Sequence, residues 1–129
     1  IVKGVLDPSD AKKIKEMGAD AIYVSGHGAR QLDSLPAPIT QLPKIRRAVG
    51  KNYPLIFDTG VRNGEDIVKA YASGADFVML GRPILYALGA DGERGLKTII
   101  HYISKEIQVT LAQIGLGKIS EVNETNLIK

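Results

Sequence analysis

Three observations predict an α/β fold with a parallel sheet for this chain of 129 residues. Four short apolar runs, at residues 1–6, 21–24, 54–57 and 77–80, recur along it. Stretches with helical periodicity separate them, the alternation expected of βα units. The last three runs each break off into a polar loop that carries glycine, and loops at the carboxyl ends of parallel strands are where such folds place their chemistry.

The first run is followed by Asp7-Pro8-Ser9-Asp10. Asp7 is a suitable N-cap, Pro8 suits the first helical position, and Asp10 complements the positive end of a helix. Ala11, Ile14 and Met17 give that helix its buried face, and Gly18 stops it. The second run opens at once into Ser25-Gly26-His27-Gly28-Ala29-Arg30-Gln31-Leu32-Asp33. Pro36 and Pro38 fix the exit of this loop, and Leu42, Ile45 and Val49 mark the next helix.

Asn52-Tyr53-Pro54 leads into the third strand, which ends in Asp58-Thr59-Gly60-Val61-Arg62-Asn63-Gly64. Asn63 or Gly64 starts a helix whose Ile67, Val68 and Tyr71 face the sheet and which Gly74 terminates. The fourth strand runs straight into Gly81-Arg82-Pro83. A helical segment then reaches to about residue 88, a glycine-rich break follows at 89–92, and a long amphipathic helix covers about 95–114. Ile99, Ile103, Ile107, Leu111 and Ile114 form its apolar stripe. A last turn is expected near 120–124. With no low-complexity linker, residues 1–129 read as one domain.

Composition narrows the function. The chain has no cysteine, which removes disulfides, thiol nucleophiles and thiolate metal sites and suits a cytoplasmic location. It lacks both a run of about 18 apolar residues and a secretory leader, so no membrane segment is expected. The 17 basic residues exceed the 14 acidic ones but are dispersed, which disfavours nucleic acid and suits a small anionic ligand held by arginines.

His27 can exchange a proton near neutral pH, and Arg30 can grip a carboxylate bidentately. A histidine between two glycines can simply tie a loop. Arg30 three residues on, at the end of a strand, argues for chemistry instead. Lys3 has no local partner in the sequence, whereas Arg62 and Arg82 follow glycine-opened turns after consecutive strands. His101, inside the last helix, reads as structural, and Tyr23, Tyr53, Tyr71, Tyr86 and Tyr102 read as packing residues. No metal site is expected.

Four βα units are half of a closed parallel barrel, which needs eight and about 250 residues. The competing open, doubly wound sheet announces itself by Gly-x-Gly-x-x-Gly after its first strand, and that motif is missing. Barrels often bind phosphate with the loops after their seventh and eighth strands and a helix N-terminus. Asp58-Thr59-Gly60-Val61-Arg62 and Gly81-Arg82-Pro83 fit that place. The expected fold is therefore the carboxyl-terminal half, strands 5 to 8, of a TIM (β/α)8 barrel, with the missing N-terminal half before residue 1.

Val2-Lys3-Gly4-Val5, the His27 loop, Asp58-Thr59-Gly60-Val61-Arg62 and Gly81-Arg82-Pro83 occur in one order over nearly the whole chain. Together they resemble the carboxyl-terminal half of the FMN-dependent L-2-hydroxy acid oxidase and dehydrogenase family, to which lactate oxidase and glycolate oxidase belong. The resemblance implies oxidation of a small L-2-hydroxy acid to its 2-oxo acid. His27 would take the hydroxyl proton and Arg30 hold the carboxylate. Lys3 would stabilise the reduced flavin at its N1 and C2 carbonyl edge, and Ser25 would contact the flavin. Asp58, Thr59, Gly60, Val61 and Arg62, with Gly81 and Arg82, would hold the ribityl chain and phosphate of FMN.

Three positions depart from the family pattern: Gly26 replaces the usual asparagine, Thr59 a glycine or serine, and Asn63 a second arginine. Gly26 predicts a looser loop and Asn63 a weaker phosphate site. Two other FMN or phosphate-barrel readings compete. IMP dehydrogenases need a cysteine, and type 2 isopentenyl diphosphate isomerases are hard to reconcile with the His27 and Arg30 spacing. A non-catalytic assembly or phosphate-binding module is the third possibility. A half-barrel with two bare edges is expected to bind its missing half or self-associate as a homo-oligomer.

Overall fold

A computed structural model describes residues 1–127. Four parallel strands, β1 (Val2–Val5), β2 (Ile22–Val24), β3 (Leu55–Phe57) and β4 (Phe77–Val78), form one sheet in the order β1-β2-β3-β4. Helices α1 (Pro8–Glu16), α2 (Pro38–Val49), α3 (Gly64–Ala72) and α4 (Arg82–Gln113) follow the strands in turn. A doubly wound sheet reverses its strand order; among the described residues this one never does.

The two-residue period of a strand sorts the sheet into two faces. Ile22, Val24, Leu55 and Phe57 are sealed in a core with Ala11, Leu42, Ile45 and Val49 from the helices. Burying each such large aliphatic or aromatic side chain stabilises by about 1.5–3 kcal/mol. The opposite parity, Lys3, Tyr23, Ile56 and Phe77, lies in register across all four strands. The helices leave that face open, and Phe77 remains 57% exposed.

Local chemistry sets the helix starts as expected. Asp7 accepts the amides of Ser9 at 2.7 Å and Asp10 at 3.2 Å, and the Ser9 hydroxyl and these amides hold its carboxyl below the usual carboxylate range. Asn63, rather than Gly64, caps α3 by accepting the Asp66 amide at 2.8 Å. At the amino end of the sheet, Arg46 donates to the carbonyls of Gly74, Gly50, Lys51 and Tyr53 and pairs with Asp76. One side chain thereby ties the end of α2 to the turns before β3 and β4.

Several expectations change. Met17 is 85% exposed instead of buried, because two successive steps of three residues from Ala11 rotate it about 120° off the buried face. Lys15 lies nearer that face and donates to the Val49 carbonyl at 2.7 Å. β4 stops at Val78, since the chain bends at Gly81 into α4; the Met79 amide still donates to the Phe57 carbonyl at 2.8 Å. The glycine-rich break narrows to a kink at Asp91 and Gly92 within α4. Ile114 leaves the apolar stripe because α4 ends at Gln113. Tyr86 and Tyr102 are exposed rather than packed into the core, and His101 is likewise on the surface, edge-on to the Tyr102 ring. Two 3-10 turns, Ile119–Glu121 and Glu124–Asn126, replace the single last turn. Among the described residues, no helix is long and apolar enough to cross a membrane, and no cluster of histidines and carboxylates is arranged to hold a metal ion.

Candidate active site

The carboxyl ends of the four strands surround a cleft of about 560 Å³, within the range of small-molecule sites. Lys3, His27, Arg30, Asp58, Thr59, Gly60, Val61, Arg62, Gly81 and Arg82 line it, so ten of the eleven sequence-predicted residues converge there. Ser25 is the exception. It is only 1% exposed, and its hydroxyl is occupied by the Lys3 ammonium at 3.1 Å and the His27 amide at 3.1 Å.

Each strand delivers its residue for a local reason. In β1, Gly4 adopts φ +92 and shifts the register, so that Lys3 pairs with Tyr23 while Val5 pairs with Val24. This bulge turns the Lys3 side chain toward β2, where it lies 3.8 Å from Asp58 and 4.8 Å from the Tyr23 ring. The missing side chain at Gly4 also makes room for the His27 imidazole: a Cβ there would sit 2.6 Å from His27 Cε1.

His27 and Arg30 share one turn. Gly26 precedes a 3-10 turn, His27–Ala29, in which His27, Gly28 and Ala29 all take left-handed φ values of 51°, 68° and 62°. Non-glycine residues in that region persist only where their surroundings hold them. Here the Ala29 amide donates to the Gly26 carbonyl at 2.8 Å, and Thr59 Oγ1 accepts the Gly26 and Gly28 amides at 3.1 and 3.3 Å. The loop expected to be loosened by Gly26 is thus tied from β3.

The cleft is strongly cationic. Lys3, Arg30, Arg62 and Arg82 face it with Asp58 as its single carboxylate, and among the described residues the three arginines have no ion-pair partner. The two helix starts beside them differ. α3 has its Asn63 cap and the acids Glu65 and Asp66 in its first turn. α4 starts from Gly81 with no side-chain cap and no acid; Pro83 has no N–H and the Ile84 and Leu85 amides donate to the Gly81 carbonyl, so the Arg82 amide and the positive dipole end are what this helix start offers an anion.

Six residues beyond those predicted belong to the site: Gly4, Tyr23, Gly28, Gln31, Met79 and Leu85. The Tyr23 hydroxyl donates to Asp58 Oδ2 at 2.8 Å, so this tyrosine is part of the polar network and not only packing. Burial first, then that hydrogen bond and the Asp58 charge, push its phenol well above the usual value. Its position two residues before Ser25, on the same strand face, was the available signal.

The profile of the family described as FMN-dependent dehydrogenase matches residues 1–129. An L-lactate dehydrogenase of Acinetobacter baylyi is 43% identical over 129 residues, covering 100% of this chain and 34% of that protein. A peroxisomal (S)-2-hydroxyacid oxidase of Arabidopsis thaliana is 46% identical over 127 residues, covering 98% and 35% respectively. Among solved structures, a soluble mutant of the membrane-associated (S)-mandelate dehydrogenase of Pseudomonas putida superposes with a TM-score of 0.92 at 41% identity, covering 97% of this chain and 35% of that one. The chain therefore spans about a third of the length of these relatives.

Proposed function

Because the chain belongs to the FMN-dependent dehydrogenase family, we propose that it supplies the base, the carboxylate clamp and the phosphate seat for FMN-dependent oxidation of a small L-2-hydroxy acid to the 2-oxo acid. The observation that carries this reading is the sharing of one rigid turn by His27 and Arg30, in the cleft that also holds the uncapped start of α4.

The residues fit the cofactor. A phosphate dianion suits the uncapped, positive start of α4 with Arg62 and Arg82, and an electron-rich ring edge suits the Lys3 ammonium tethered at Ser25. Bound FMN would accept the two electrons that leave the substrate carbon. His27 takes the hydroxyl proton as that carbon becomes a carbonyl. Arg30 holds the carboxylate with its planar fork and so orients the hydroxyl toward the imidazole. Lys3 offsets negative charge developing beside it.

In this reading the four strands are strands 5 to 8 of a closed TIM barrel. The unreversed strand order, the uncovered face bearing Ile56 and Phe77, and the unpaired outer edges of β1 and β4 support closure by four further units of the same protein. Alone, the chain is not expected to turn over substrate. The test is made on the full-length protein, which should purify with flavin absorbance, or acquire it from added FMN, and convert lactate or glycolate to the 2-oxo acid. A protein that takes up no FMN overturns the reading.

A further inference from the structure

Thr59 holds an unusual place in the site. It is β-branched yet sits at φ +74, a region that such residues rarely enter. Its hydroxyl is also completely used. A threonine hydroxyl offers one donor and two acceptor positions; Thr59 Oγ1 donates to Asp58 Oδ1 at 2.8 Å and accepts the Gly26 and Gly28 amides at 3.1 and 3.3 Å.

We infer that Thr59 is a positioning residue for His27, a clamp that fixes the base-bearing turn to the Asp58 carboxylate and leaves no hydroxyl valence for a contact to FMN. The inference rests on the assignment of His27 as the base.

The two amides it accepts flank His27, and the amide between them, that of His27, goes to Ser25 Oγ. Three consecutive N–H groups, those of Gly26, His27 and Gly28, are thus held by two side-chain hydroxyls, one from Ser25 just after β2 and one from Thr59 just after β3. The tie comes from β3 because position 26 has little room for a side chain: a Cβ there would meet Pro38 Cγ at 3.0 Å and Thr59 Cγ2 at 3.6 Å. Absence of a side chain at Gly26 and presence of a hydroxyl at Thr59 are therefore complementary. Asp58 extends the clamp, since its other oxygen accepts the Tyr23 hydroxyl at 2.8 Å and lies 3.8 Å from Lys3.

The test compares Thr59→Val, Thr59→Ser and Thr59→Gly in the full-length, FMN-loaded protein, by hydrogen exchange, FMN content, thermal midpoint and turnover of a 2-hydroxy acid. Valine keeps the shape and the backbone strain but removes the hydroxyl. It should leave FMN content unchanged, speed exchange selectively over residues 26–30, and lower kcat roughly tenfold. Serine should restore slow exchange and bring kcat back to within about threefold of the parent. Glycine relieves the positive φ, so it should retain the thermal midpoint while losing kcat, a split that a merely structural role does not produce. It also substitutes for valine if that variant fails to fold.

Parental exchange rates in the glycine or valine variant, unchanged kcat, or failure of serine to rescue overturns the inference. Loss of FMN with intact exchange also overturns it, by making Thr59 a cofactor contact. A parent protein that binds no FMN and oxidises no hydroxy acid would instead defeat the proposed function. The exchange comparison would still decide whether Thr59 holds the turn.

Discussion

Lys3 and Ser25 meet across the β1–β2 pair: the lysine ammonium donates to Ser25 Oγ over 3.1 Å, and the same oxygen receives the His27 amide. The cation that would face the flavin and the turn that would carry the base therefore share one buried hydroxyl. Replacing Lys3 by Met keeps the length of the side chain and removes its charge. Lys3→Met is expected to retain FMN but to lower its reduction potential by on the order of tens of millivolts, the equivalent of a charge contact of roughly 1–3 kcal/mol. Spectroelectrochemical titration of the full-length protein measures this. An unchanged potential would place the ammonium away from the flavin.

His27→Ala should lower kcat by about 10²- to 10⁴-fold, the usual contribution of a positioned general base, while FMN stays bound. Unchanged turnover would remove His27 from that role.

Gly4→Ala offers a gentler test of the same geometry. The new methyl would sit 2.6 Å from His27 Cε1, on a residue at φ +92 that alanine adopts only with strain. The imidazole can rotate away, so the fold should survive with a loss of about 1–2 kcal/mol. The base is then displaced, and turnover should fall while FMN content holds. Denaturant titration and steady-state kinetics on one preparation separate the two effects, and a variant with parental kcat would show that the imidazole need not lie against β1.

Tyr23 supplies a pH dependence with a definite sign. Its phenol is held above the usual value by burial and by Asp58, so the fold favours the neutral form. The resulting stability is fully present below about pH 10, the unfolded value, and is lost as pH rises through the higher folded value. Tyr23→Phe lacks the hydroxyl and should be less stable than the parent by about 1 kcal/mol at neutral pH. The difference should shrink as the pH is raised past 10. Denaturation midpoints of the two proteins across that range decide the point; a gap that stays constant would show that the Tyr23 hydroxyl is not what titrates.

What the sequence made legible was local. Asp7-Pro8 announced a helix start because a cap and a ring-fixed φ act within three residues, and Gly81-Arg82-Pro83 announced an open helix end for the same reason. His27 and Arg30 were readable from their place at a strand end. The unread features depend on strands meeting. The Gly4 bulge looks like uninterrupted strand until β1 is paired with β2, and the bonds that Lys3 and His27 donate to Ser25 Oγ arise only once those strands meet. The bonds of Thr59 cannot be read locally because its partners, Gly26 and Gly28, are 33 and 31 residues away.

Gly64 links helix packing to the arginines proposed to seat phosphate. It begins α3, its amide donates to Glu106 Oε2 at 2.8 Å, and a Cβ on it would fall 2.5 Å from the backbone nitrogen of Ile107 and 2.5 Å from Glu106 Cβ. Backbone cannot swing aside as a side-chain tip can, so Gly64→Ala must force α3 and α4 apart, at about 1–3 kcal/mol for overpacking. Arg62 and Asn63 immediately precede this contact, whereas Arg82 opens the part of α4 that lies before its kink at Asp91 and Gly92. Displacing α3 therefore moves the Arg62 guanidinium relative to that of Arg82, and FMN affinity should fall together with stability. Gly89→Ala is the matched control: nothing lies within 4 Å of its Cβ, and in a helix interior it should stabilise by about 0.5–1 kcal/mol. Denaturant titration with FMN binding on both variants tests the coupling, which fails if Gly64→Ala loses stability while binding FMN as tightly as the parent.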